Sequence, residues 1–125
     1  MKIISVDFDN TLTRPDVQEF VKQLMNRGVE VSICTSRYDD HHINKLQMYN
    51  RNNNDLYTVA DEMGIKSIIF TNMSDKYEFL MKDKFILHLD DDWYELKAMQ
   101  NCKKCKTIPI SVIGSYQPKI LRILF

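Results

Sequence analysis

The chain predicts an α/β domain built on a parallel, doubly wound sheet. Short β-branched runs alternate with helical patterns along its length, beginning with strand, helix and strand joined by short links over residues 3–34. Acidic or hydroxyl side chains follow the strand ends repeatedly: Asp7 and Asp9, then Thr35 and Ser36, then Asp90, Asp91 and Asp92. In such a sheet the carboxyl ends of all strands share one rim, so these groups are delivered to one place.

The first strand is the apolar run Ile3–Val6, leading into Asp7-Phe8-Asp9-Asn10-Thr11-Leu12. Two carboxylates this close repel each other, and the arrangement becomes favourable around a divalent cation. Asn10 tolerates the left-handed backbone a turn would need. Thr13 is a candidate cap for a helix with Pro15 in its first turn. Val17, Phe20, Val21, Leu24 and Met25 form its apolar face, and Gly28 ends it. A second strand runs over 29–34 and exits into Thr35-Ser36-Arg37. Either hydroxyl can donate to a phosphoryl oxygen, Thr35 being the better placed because it follows the strand at once. Arg37 either clamps an anionic substrate or pairs with Asp39 or Asp40.

Between 38 and 66 the pattern gives a helix carrying Ile43, Leu46 and Tyr49, an Asn-rich loop at 50–54, and a second helix. Asn54 or Asp55 is its candidate cap; Leu56, Val59, Ala60 and Met63 form its face, and Gly64 closes it. Asp39, Asp40, His41 and His42 invite a metal reading, but consecutive helical residues do not face one another, so solvated side chains of a first turn are expected. A third strand over 66–71 precedes Lys76 and a helix with Tyr77, Leu80 and Met81 on one side. An ammonium at a helix N-terminus opposes the dipole and calls for anionic partners. The fourth strand, Phe85–Leu89, ends in Asp90-Asp91-Asp92, a costly cluster without a cation, with Asp92 a helix cap for the segment bearing Trp93, Leu96 and Met99.

Cys102 and Cys105 form a lone Cys-x-x-Cys with no second ligand pair, so free thiols are expected. A fifth strand over 107–113 contains Pro109, which suits a sheet edge. The tail from Tyr116 to Phe125 carries Ile120, Leu121, Ile123 and Leu124, which must pack on the sheet or on another chain, as in a homo-oligomer.

At 125 residues the chain is expected to be one domain over 1–125. With 17 basic and 17 acidic side chains its net charge gives no electrostatic case for nucleic acid or membranes. An odd cysteine count and an N-terminus without a secretory pattern point to the cytoplasm.

Asp7-Phe8-Asp9-Asn10-Thr11-Leu12 resembles the first motif of the haloacid dehalogenase (HAD) superfamily of phosphohydrolases, Asp-x-Asp-x-Thr. Thr35, Lys76 and Asp90-Asp91 are similar to its second, third and fourth motifs, in the family's order. The resemblance implies a three-layer Rossmann-like fold with strand order 5-4-1-2-3. It also implies a phosphatase using Mg²⁺, with Asp7 as nucleophile, Asp9 as general acid/base, and Thr35 and Lys76 on the phosphoryl oxygens. Thr11, Ser36 and Arg37 would lie on the substrate. The metal would be held by Asp7, the Asp9 carbonyl and Asp91, with Asp90 close by, orienting Lys76 or a water. The chain leaves no room for the cap domain many relatives carry, so an open site and a large phosphorylated substrate are implied. Thr35-Ser36-Arg37 and the paired acids are also similar to the phosphatase domain of phage polynucleotide kinase, which makes nucleic-acid ends the runner-up substrate. A rival reading is a non-catalytic relative that binds phosphate or metal.

Overall fold

The computed structural model describes residues 1–82 and 84–125. Five strands, β1 (Ile3–Val6), β2 (Glu30–Thr35), β3 (Ser67–Phe70), β4 (Phe85–Asp90) and β5 (Ile108–Ser111), form one all-parallel sheet. Their order is β3-β2-β1-β4-β5, the neighbour relations of 5-4-1-2-3 read from the opposite edge. β5, with its Pro109, lies on an edge as expected.

Helices α1 (Pro15–Asn26), α2 (Asp40–Lys45), α3 (Asn54–Met63), α4 (Tyr77–Leu80), α5 (Trp93–Asn101) and α6 (Tyr116–Leu124) complete the chain. Strand side chains alternate between two faces, and each face has its own apolar cluster. On one face Ile4, Val6, Val31, Ile33, Leu87 and Leu89 pack with α1, α3 and α6. On the other, Cys34 and Phe85 pack with Leu80 of α4 and Met99 of α5. These are the three layers expected of a doubly wound sheet.

Local details depart from the sequence expectation at several helix starts. Arg14, not Thr13, caps α1, and Asn53, not Asn54 or Asp55, caps α3; neither cap makes a side-chain bond. Pro15 and Asp92 behave as expected, Asp92 accepting from the Tyr94 amide. Leu46 and Tyr49 are exposed, because α2 ends at Lys45 and buries nothing, so its apolar residues do not form a core face. The tail packs on its own chain: Tyr116, Ile120 and Leu124 are buried in the larger cluster, and the Tyr116 hydroxyl donates to Asp16 at 2.8 Å. Among the described residues no helix is long and apolar enough to cross a membrane.

Gly64 closes α3 at φ +75°, and a methyl group there would meet nothing within 4 Å. Gly64→Ala therefore isolates a backbone effect. We expect a loss of about 1 kcal/mol, read by urea denaturation, because only the left-handed conformation is penalised.

Candidate active site

The strand order places β1 between β2 and β4, at the point where the connections reverse direction. The groups that follow β1, β2 and β4 therefore share one rim. β1 ends at Val6, and the chain enters a single irregular turn over Phe8–Leu12, with Leu12 N–H donating to the Asp7 carbonyl at 3.1 Å. Asn10 takes φ +58°, the left-handed conformation expected of it. This turn separates the two acids: Asp7 is buried, whereas Asp9 is exposed.

Lys76 meets Asp7 from the start of α4. Its side chain is 2 % exposed, and Nζ donates to Asp7 Oδ1 at 2.8 Å and Asp90 Oδ2 at 2.6 Å, partners 69 and 14 residues away. Glu95 of α5 holds the same residue by its backbone, accepting from the Lys76 amide at 3.0 Å. Asp91 is half-buried beside them, and the Thr11 hydroxyl lies within donating distance of both Asp7 Oδ2 (3.1 Å) and Asp91 Oδ1 (3.2 Å). Thr11 is fully buried, and its hydroxyl between the two acids braces them.

The carboxylates of Asp7, Asp90 and Asp91 offer oxygens within 4.8 Å of one another. Asp90 already accepts three hydrogen bonds: Oδ2 from Lys76 and from His88 Nε2 (2.7 Å), and Oδ1 from the Asp92 amide (2.9 Å). That leaves Asp7 and Asp91 as the carboxylates freer to hold a cation, with Asp90 orienting Lys76. The Asp9 carboxylate stands outside the cluster. Asp39 and His42 bond to each other at 2.8 Å away from it.

Arg37 is not paired with Asp39 or Asp40. It makes two-pronged contacts with Asp9 (2.7 and 2.9 Å) and with Asp55 of α3 (2.7 and 2.9 Å). Both carboxylates hold its guanidinium above the ordinary range, Asp55 most strongly. Thr35 is fully buried, its oxygen accepting from the Arg37 amide at 3.2 Å, so its own proton remains to donate. Ser36 is the more open hydroxyl. It lines a cavity of about 350 Å³ with Asp7, Asp9, Lys76 and Asp91, and a neighbouring one of about 520 Å³ with Asp9, Arg37, Tyr38, Asn52 and Met73.

Electrostatics follow from burial. Burial pushes Asp7 up to about 8, with repulsion from Asp90 adding to it and Lys76 opposing. Asp90 is also buried, yet His88 and Lys76 outweigh that and hold it below the usual carboxylate range. For Lys76 burial acts downwards, but Asp7 and Asp90 together raise it. Burial lowers His88.

An acid whose folded value is raised contributes stability that is complete below its unfolded value and is lost as pH rises through the folded one. Asp7 should therefore erode the stability of the metal-free protein between about pH 4 and about pH 8. Asp90, shifted the other way, is constant across that window. Urea denaturation of metal-free protein at several pH values should show this decline, and Asp7→Asn should flatten it.

Sequence reasoning did not reach Asp55, Glu95, Ser5 or His88. The last two left a signal: His88 lies two residues before Asp90 on β4, hence on its face, and Ser5 lies two residues before Asp7, which directly follows β1. The free cysteines Cys102 and Cys105 lie apart from the acids. The chain matches no protein-family model, and a search of curated proteins finds no match.

Proposed function

We propose that this protein is a phosphomonoester hydrolase of the HAD type, working through a phosphoryl group carried on Asp7. The observation that carries the reading is the buried Lys76, joining Asp7 to Asp90 beside Asp91. Three clustered carboxylates face one ammonium, an excess of negative charge made of hard oxygen donors, which fits Mg²⁺. Asp7, Asp91 and the Asp9 carbonyl would hold that ion, which when bound supplies screening between nucleophile and phosphate.

The residues divide the remaining work. Asp7 attacks phosphorus in line, forming an Asp7–O–P bond as the bond to the leaving oxygen breaks. Asp9, once substrate draws at least one of its oxygens away from Arg37, gives the leaving oxygen a proton, then takes one from the water that attacks phosphorus and frees Asp7. Lys76 has three N–H donors and spends two on Asp7 and Asp90, leaving one for a phosphoryl oxygen. Thr35 and Ser36 supply hydroxyl donors there. Asp9 borders both cavities, so the leaving group would lie in the larger one, between Arg37, Tyr38 and Asn52.

A second reading, a module that binds phosphate or metal without turnover, draws on the Arg37 clamp, which occupies both Asp9 oxygens. One experiment separates them. Purified protein with Mg²⁺ should release phosphate from at least one member of a panel of aryl phosphate, sugar phosphates, nucleotides and 3′- or 5′-phosphorylated oligonucleotides. No release from any of them favours the binding module.

A further inference from the structure

A buried polar chain runs back from the site into the sheet. The Ser5 hydroxyl is 2.9 Å from His88 Nδ1, His88 Nε2 is 2.7 Å from Asp90 Oδ2, and that same oxygen is 2.6 Å from Lys76 Nζ. Ser5, His88 and Asp90 are each fully buried, on the β1 and β4 strands paired at Ser5 and His88. Hydroxyl, imidazole and carboxylate here cannot act as a nucleophilic triad. Substrate has no access, and the carboxylate sits on Nε2 with the hydroxyl on Nδ1, the reverse of the arrangement that activates a serine.

An ionised carboxylate only accepts, so Nε2 carries the hydrogen and Nδ1 is left to accept from Ser5, whose rival acceptor, the Leu87 carbonyl, is farther off at 3.4 Å against 2.9 Å. The carboxylate thereby sets the tautomer and the hydroxyl answers it at Nδ1; the imidazole, held at both nitrogens, fixes the Asp90 rotamer, and Asp90 fixes the ammonium. Apolar side chains would fill the same space without a network that must be satisfied throughout. The Asp92 amide holds the other Asp90 oxygen, so the carboxylate is fixed at both ends.

We infer that Ser5 and His88 are positioning residues, which hold Asp90, and through it Lys76, in register with Asp7. The inference rests on the phosphohydrolase reading for its effect on turnover, but not for its geometry.

The test uses the full chain with Ser5→Ala, His88→Gln and His88→Leu. Glutamine keeps one donor and one acceptor; leucine keeps neither. With p-nitrophenyl phosphate and Mg²⁺, His88→Leu should lower kcat about 10- to 100-fold with KM nearly unchanged. His88→Gln should recover most of that loss, and Ser5→Ala should show the same split at smaller size. In metal-free protein, long-range ¹⁵N–¹H spectra should show His88 as the neutral Nε2–H tautomer, and the slowly exchanging Lys76 ammonium signal should survive in His88→Gln and disappear in His88→Leu. An Nδ1–H pattern, an unaltered Lys76 signal in His88→Leu, or wild-type kcat in both His88→Leu and Ser5→Ala would overturn the inference. If wild-type protein turns over no substrate, the phosphohydrolase reading fails by itself, and the two spectra still decide the positioning.

Discussion

Asp7→Asn should abolish Mg²⁺-dependent phosphate release, by about ten-thousand-fold or more, the scale on which nucleophile removal acts in hydrolases. The fold should survive. Asparagine keeps an oxygen for Lys76, which now donates to Asp7 Oδ1 at 2.8 Å, and puts an NH2 group at Oδ2, where the Thr11 hydroxyl, now a donor at 3.1 Å, can accept instead; Lys76 keeps Asp90 as its counter-ion. Removing one negative charge from three clustered carboxylates relieves repulsion, so the metal-free variant should be at least as stable as wild type above neutral pH. Mg²⁺ binding, followed by calorimetry, should weaken at the same time. Activity lost with stability kept is the pattern of an acid that serves chemistry. Loss of both would mark Asp7 as structural.

Lys76→Met should lose stability as well as activity. The ammonium is buried between two carboxylates, and removing it leaves Asp7 and Asp90 facing each other without compensation. Breaking a buried pair in this way costs about 3–5 kcal/mol. The cost should grow with pH, because at lower pH Asp7, already raised to about 8 by burial and then without its cation, can take up a proton. Added Mg²⁺ should restore part of the loss by supplying positive charge to the same oxygens. Turnover should fall about 10²- to 10³-fold from loss of a donor to the phosphoryl group. Urea denaturation with and without Mg²⁺ checks the first part; a change within about 0.5 kcal/mol of wild type would contradict it.

The sheet was legible in the sequence because its signals are local and repeated. The stretches 3–6, 29–34 and 85–89 are short and mostly apolar, and the spacing of Val17, Phe20, Val21 and Leu24 defines one buried helix face. Neighbour order came instead from the family resemblance, since periodicity says nothing about which strands pair. Helix starts were read less well, because Thr13 and Asn54 are only two among several cap-forming residues and tertiary packing chose Arg14 and Asn53. In the site, Asp7, Lys76, Asp90 and Asp91 announce themselves as charges beside apolar strands or at a helix start.

Partners contributed by distant segments do not. Arg37 finds Asp9 and Asp55, 28 and 18 residues away, in preference to the adjacent Asp39 and Asp40. That choice depends on α3 folding back over the β2 exit, which no local pattern contains. His88 looked like part of an apolar strand, and only the β1–β4 register, which sets Ser5 opposite it, gives it a role.

The account stands or falls on whether phosphorus becomes bonded to Asp7. Protein mixed with the best substrate of the panel and Mg²⁺, quenched in acid within one turnover, should yield a peptide spanning the Asp7–Thr11 turn with a phosphoryl group on Asp7. Full Mg²⁺-dependent turnover with no phosphoryl group on that peptide would contradict it.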